Sequence, residues 1–388
     1  RMNHIRRPSP GFTCSIGHRG DIRHSCMLKQ PQFCYAVTGT CGKTSVCYFL
    51  FQLFGLLGHK AAYIGTLGIY NNANIKPSVI SDLTTLSPTD LQQTLAELYD
   101  GGVTHVALEA SSHGLDQARL HGLSLHAVGF TNLSRDHMDY HKDTEDYFLA
   151  KKKLFTDFTP VFTVTNADDP YSARLPATVQ FGKGTPYYFQ DGFVWINGQA
   201  VDVKTLPIIG EFQYWNICCA MAMLKEANAQ AASLLRQLKP VPGRFEKIHE
   251  KPLIIVDYAH KPDAMGVVLQ NLRQYTTGRI ITLFGCGGDR DAGKRPIMGQ
   301  VAQELSDIVI VTDDNPRFEE PSAIRQQILA ACKNAIEIDD RATAIKQAIA
   351  MAKPEDSIAL LGKGSEKYQK IKGETFPFDD VQVALACM

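Results

Sequence analysis

The chain has 388 residues, 44% hydrophobic and 21% charged, which suits two or three folded domains and excludes a disordered polymer. Its 40 basic and 40 acidic side chains cancel, which argues against a nucleic-acid binder, and no apolar run is long enough to span a bilayer. The ten cysteines form no CxxC pair and several sit inside apolar runs, so reduced thiols, a cytoplasmic setting and no structural zinc are expected.

Residues 1–34 are rich in Arg, lack the apolar segment of a secretory signal and follow no period, so they read as an irregular tail or remnant. From Phe33 short β-rich runs alternate with helical ones. FCYAV reads as a strand, TSVCYFLFQLFGLLG as a helix stopped at Gly58, and AAYIGTLGIY as β-rich. SPTDLQQTLAELYDGG follows as a helix with a Ser or Thr cap and a closing Gly pair, then the strand THVALEA. GEFQYWNICCAMAMLKEANA reads as a helix, and KPVPGRFEKIHEKP as a Pro- and Gly-punctuated joint. A second series follows: LIIVDYA, AMGVVLQNLRQY, RIITLFGCGG, IVIVTDD, AIRQQILAAC and SIALLGKG. The fold class is therefore α/β, with domains expected at 35–240 and 241–388.

Between FCYAV and its helix lies TGTCGKTS, where free N–H groups of a tight turn and a helix N-terminus converge as an anion site. Gly39 and Gly42 would let the backbone approach phosphate, Lys43 would reach the terminal phosphates, and Thr44 would offer its hydroxyl to Mg²⁺. An ordinary strand–helix turn is the other reading. Glu109 ends its strand where the crevice of an open α/β sheet begins, and is either a metal carboxylate or a solvated strand end. NLSRDHMDYHKDTEDYFLAKKKLF gathers Asp136, His137, Asp139 and His141, while Lys151 to Lys153 read by default as a solvated helix face.

Together TGTCGKTS, LEASSHGLDQARL, TNLSRDHMDYH, AKKKLF, PGRFE, DYAHKPDA, FGCGGDRDAGKRP, DNPR and GKGSEKYQ resemble the Mur ligase family of peptidoglycan synthesis, in the family's order and over about residues 35 to 382. The likeness is to members that add the third residue of the stem peptide to UDP-N-acetylmuramoyl-L-Ala-D-Glu. It implies a central P-loop-type ATPase domain with a mostly parallel sheet, a C-terminal Rossmann-like α/β domain, and an active site in a closing cleft between them. It also implies ATP and Mg²⁺, small-molecule substrates, a monomer, and a reaction in which a carboxylate attacks the γ-phosphoryl group before an amine attacks the resulting acyl phosphate.

By the resemblance, Gly39, Thr40, Gly42, Lys43, Thr44, Ser45, Asn216, Arg244 and Asp257 bind ATP, and His260 belongs to the same DYAH motif. Thr44, Glu109, His137 and Lys151 are the metal set, with Lys43, Glu109, His137 and Lys151 catalytic and Lys151 carbamylated. Gln213 stands where Asn is more usual on the adenine side. Thr84, Thr85, Ser111, Gln117 and Arg119 match positions that hold the muramoyl dipeptide, and Arg290, Asp314, Asn315, Pro316, Arg317, Gly362 and Glu366 those that hold the amino acid. DNPR implies meso-diaminopimelate, because a guanidinium can grip its distal carboxylate in two places and L-lysine has none. A surface salt bridge is the plainer reading of Arg317. Ser365 replaces a frequent His. The family also carries a uridine-diphosphate anchor ahead of the loop, which residues 1–34 do not resemble, so weak binding of the nucleotide-sugar is expected. A silent nucleotide-binding remnant acting through a partner, the same ligase using L-lysine, and a folylpolyglutamate synthase are the alternatives.

Overall fold

The computed structural model describes residues 29–81 and 83–388; most of the expected tail, with Cys14 and Cys26, lies outside them. The first sheet comprises β1 (Phe33–Thr38), β2 (Ala61–Gly65), β3 (Gly68–Asn71), β4 (His105–Glu109), β5 (Ala127–Phe130), β6 (Phe162–Asn166) and β7 (Val179–Phe181). Its order is β3-β2-β4-β1-β5-β6-β7, parallel except where β3 folds back on β2. A small antiparallel sheet follows, with β8 (Tyr187–Gln190), β9 (Phe193–Ile196) and β10 (Gln199–Asp202). The second large sheet comprises β11 (Glu246–Glu250), β12 (Leu253–Asp257), β13 (Ile280–Phe284), β14 (Ile308–Val311), β15 (Ile336–Glu337) and β16 (Ser357–Leu361), ordered β11-β12-β16-β13-β14-β15 and parallel except at β11. A hairpin of β17 (Tyr368–Ile371) and β18 (Glu374–Pro377) closes the series.

Strand periodicity divides the core into layers. Tyr35 and Val37 of β1 point into one apolar cluster, Cys34 and Ala36 into another on the opposite face. The second sheet does the same, with Ile255 on one side and Ile254 and Val256 on the other. Burial on both faces is why these strands read as continuous apolar runs. The helices of the first half are α1 (Lys43–Leu56), α2 (Pro88–Asp100), α3 (Ser112–Asp116), α4 (Thr144–Thr156), α5 (Glu211–Met223) and α6 (Ala231–Leu235). Those of the second half are α7 (Pro262–Arg273), α8 (Lys294–Leu305), α9 (Pro321–Leu329), α10 (Arg341–Met351) and α11 (Asp380–Leu385). The Ser87 hydroxyl accepts the Asp90 N–H to cap α2, and Gly58 takes a left-handed conformation beyond α1, as the sequence predicts.

Three segments differ from the sequence reading. The α-helix in GEFQYWNICCAMAMLKEANA ends at Met223, and residues 225–230 continue as a 3₁₀ turn. Five residues of the expected joint form the edge strand β11, whose polar EKIHE hides it because no residue of it is fully buried. The sheet β8–β10 was not foreseen, although Asp191-Gly192 and Asn197-Gly198, all four left-handed, are the dipeptides that turn two-residue hairpins. The cysteines at 34, 41, 47, 218, 219, 286, 332 and 387 are free. Among the described residues no helix is long and apolar enough to cross a membrane.

Candidate active site

The chain crosses from one side of β1 to the other between β4 and β5, so a crevice opens beyond the carboxyl ends of these strands. The phosphate-type loop lies there. Gly42 caps α1 without a side chain, leaving the first-turn amides of Lys43, Thr44 and Ser45 uncapped. Thr131 and Asn132 at the end of β5 brace the loop. Asn132 accepts the Thr40 and Cys41 N–H groups at 2.8 and 3.0 Å, and the Thr131 hydroxyl donates to the Cys41 carbonyl at 2.6 Å. Neither residue was singled out from sequence, although both stand in TNLSRDHMDYH.

Packing fixes Gly42. It is left-handed at φ 88°, and an added Cβ would lie 2.4 Å from Asn216 Oδ1. Gly42→Ala should therefore lose about 1–3 kcal/mol of stability and bind nucleotide about tenfold more weakly. Thermal melts and calorimetric titration with ADP would check this; an unchanged affinity would contradict it.

Glu109 is 1% exposed, which removes the solvated strand-end reading. Its Oε1 accepts the Tyr63 hydroxyl at 2.5 Å and the Thr66 N–H at 2.9 Å, and its Oε2 accepts the Thr44 and Thr66 hydroxyls at 3.0 and 3.2 Å. A buried carboxylate touching the loop threonine supplies the hard oxygen donors that Mg²⁺ prefers.

Lys151 is also 1% exposed, so the solvated-face reading fails for this member of the triple lysine. Its Nζ donates to the Gly39 carbonyl at 2.8 Å, and Lys43 donates to the same oxygen at 2.9 Å. Burial, reinforced by Lys43, holds the Lys151 amine well below its ordinary value. His137 has a left-handed backbone, and its Nε2 lies 3.4 Å from Asp136 Oδ2. Burial pushes its imidazole down to about 4, Asp136 opposing, so it is neutral at physiological pH. The structure thus joins Thr44 to Glu109 and Lys43 to Lys151, while His137 faces Asp136 and the His113 and Tyr147 rings. Among the described residues no three His, Cys, Asp or Glu side chains gather closely enough to hold a metal by themselves. His141 is buried and bonded to Asp146, a packing role.

The dipeptide set forms one network. The Thr85 hydroxyl donates to the Glu109 carbonyl and accepts the Ser111 N–H at 2.9 Å, and Ser111 caps α3. Arg119 donates to the Thr85 carbonyl and to Gln117, and Thr84 meets Thr66 at 3.2 Å. Asn216 donates to Gln213, whose own amide donates to the Arg244 carbonyl at 2.7 Å; Gln213 therefore ties α5 to the joint. Both Asp257 oxygens accept backbone N–H groups, of Phe245 and Ala259, and Arg244 stacks on Tyr258 at 4.5 Å. Asp257 and Arg244 hold the joint in place here. Beside His260, Lys261 pairs with Asp136 across the two halves, and Lys294 donates to the His260 carbonyl.

The amino-acid set converges beyond β14 and β16. Asn315 Nδ2 donates to Glu366 at 2.8 Å, and Gly362, left-handed at φ 105°, leaves room for Asp314. Pro316 is buried and Arg290 exposed. Lys363, unnoticed in the sequence, is wholly buried between Asn315 and Glu366 at 3.3 Å each. Arg295, equally unnoticed, is buried with both Glu319 oxygens and the Gly287 carbonyl, and clamps the Arg290 loop to the segment after DNPR. The Arg317 guanidinium donates to the Gly288 carbonyl at 2.7 Å, and among the described residues no acidic side chain pairs with it. The surface salt-bridge reading fails.

Residues 37–224 match the Mur ligase middle domain, and residues 243–364 the Mur ligase, glutamate ligase domain. A UDP-N-acetylmuramoyl-L-alanyl-D-glutamate--2,6-diaminopimelate ligase of Agrobacterium fabrum is 44% identical over 92% of this chain and 78% of its own length. The chain belongs to the Mur ligase family. A Rhizobium meliloti Mur ligase of the same description is 44% identical over 91% of this chain and 77% of its own. A solved Mur ligase structure, again described as the 2,6-diaminopimelate ligase, superposes with a TM-score of 0.64 at 33% identity, covering 92% of this chain and 78% of that one. As a Mur ligase the chain is an ATP-dependent, ADP-forming amide ligase.

Proposed function

We propose that this Mur ligase joins meso-diaminopimelate to UDP-N-acetylmuramoyl-L-alanyl-D-glutamate through an acyl phosphate. The observation that carries the reading is the half-buried Arg317, which has one protein acceptor and no carboxylate partner among the described residues. Such a guanidinium keeps donors for the distal carboxylate of a diamino acid, and L-lysine would leave them unmatched.

The chain's own groups divide the work. The loop amides and Lys43 neutralise the triphosphate, so the glutamyl carboxylate can approach the γ-phosphorus and ADP can leave. Thr85, Ser111, Gln117 and Arg119 orient that carboxylate, while Gly362 and Glu366 meet the ammonium end of the amino acid. That ammonium loses a proton to solvent, the neutral amine attacks the acyl carbon, and the tetrahedral intermediate expels phosphate. Thr44, Glu109, His137 and, as a carbamate, Lys151 would hold Mg²⁺, which when bound offsets charge on the phosphates. A carbamate on Lys151 would also set an anion beside the Lys43 ammonium, which shares the Gly39 carbonyl with it, giving an opposite-charge pair.

The test is phosphate release with ATP, Mg²⁺ and the muramoyl dipeptide in the presence of meso-diaminopimelate, L-lysine or no amine. Release that requires diaminopimelate, with the tripeptide seen by mass spectrometry, supports the reading; equal rates with L-lysine would remove it. Arg317→Met should lower kcat/KM for diaminopimelate by about 10²-fold and leave the KM for ATP unchanged.

A further inference from the structure

Arg317 is a bulky residue in the left-handed region, at φ 53°, a conformation that survives only where neighbours enforce it. The neighbour is the β17–β18 hairpin. The Arg317 N–H donates to the Lys370 carbonyl at 2.9 Å, and the Arg317 carbonyl accepts the Lys372 N–H at 2.6 Å. The same strand reaches the rest of the turn. The Lys370 N–H donates to Asn315 Oδ1 at 2.9 Å, and the Gln369 amide to the Asp314 carbonyl at 2.9 Å. Three of the four residues of DNPR are thus held by β17.

The hairpin is otherwise slight: all of β18 is exposed, and two strands alone are marginal in water. It is turned by Lys372 and Gly373, both left-handed at φ 50° and 84°. Phe318, 76% exposed, lies over that turn, and a Cβ on Gly373 would meet its ring at 3.3 Å, a contact an exposed ring can relieve. Neither strand contributes to the core clusters, and β17 pairs with β18 on one side and bonds to the DNPR turn on the other.

We propose that the β17–β18 hairpin is the positioning element of the amino-acid pocket, holding the Arg317 backbone left-handed and so setting the preference for a diamino acid with a distal carboxylate. The inference rests on the diaminopimelate reading above. Gly373→Val breaks the turn, because a β-branched residue resists a positive φ; Gly373→Asn, which tolerates it, is the conservative control. Gln369→Leu removes the bond to Asp314 without touching the turn, and serves if Gly373→Val does not fold.

The measurement is the ratio of calorimetric affinities for meso-diaminopimelate and L-lysine in the full chain with ADP present, alongside Tm and ADP affinity. Gly373→Val and Gln369→Leu should each cut the preference about tenfold or more by weakening diaminopimelate alone, with ADP affinity unchanged and Gly373→Asn retaining the preference. A folded variant that keeps the full ratio, or weakens both amino acids equally, overturns the inference. A wild-type chain with no preference overturns the substrate reading, and the inference with it.

Discussion

Lys151→Met should reduce kcat by about 10³-fold, the scale of losing a charged group aimed at a reacting phosphoryl centre, with little change in KM for the amino acid. The side chain is buried and shares the Gly39 carbonyl with Lys43, so methionine fills the space and removes an amine whose charged form is disfavoured there. Stability should hold while activity falls, and that split in one variant separates chemistry from folding. The pH dependence has a definite sign. Only the neutral amine takes up CO₂, and burial keeps Lys151 neutral at pH values where an exposed lysine is protonated. Acidification through that lowered value protonates the amine, so the activity is present above it and lost below. Stripping CO₂ from the buffer should likewise depress the rate and bicarbonate restore it, whereas Lys151→Met should ignore both. Indifference of the wild-type chain to CO₂ would remove the carbamate.

Glu109→Gln should cost about 10²–10³-fold in kcat and leave the fold nearly intact. The amide oxygen can keep the Tyr63 hydroxyl and the Thr66 N–H, and the NH₂ can face the Thr44 and Thr66 hydroxyls, which rotate to accept. Glu109→Leu instead strands four donors and should lower stability by about 1–3 kcal/mol or more as well. The rate against Mg²⁺ concentration is the telling measurement. A Gln variant saturating at the wild-type concentration would show that Glu109 has no part in the metal's hold.

The phosphate loop was legible because its chemistry is local: Gly39, Gly42, Lys43 and Thr44 lie within one turn of chain, and flanking periodicity names the strand and the helix. The opposite holds for Lys151. Three lysines in a row look solvated, and only the tertiary fold decides that the first turns inward against Gly39, 112 positions earlier in the sequence. Lys363, Arg295 and Arg341 were hidden for the same reason. Arg341 is fully buried because Asp380, 39 residues on, meets it with both oxygens. The family likeness offers His137 as a ligand, but not the ring of His113 packed against it. The hairpins at Asp191-Gly192, Asn197-Gly198 and Lys372-Gly373 were missed although the glycines were in view.

The first residues of α5 are bonded to the other half of the molecule, the Gly210 N–H to the Tyr275 hydroxyl and the Glu211 N–H to Asn271. One turn farther along the same helix, Asn216 presses against Gly42. The second sheet thus rides on the same axle as the nucleotide loop, and Lys261 with Asp136 is the outrigger. Linkage runs both ways: to whatever extent an amino acid settling beyond β16 rotates that axle and changes nucleotide affinity, nucleotide changes amino-acid affinity by the same factor.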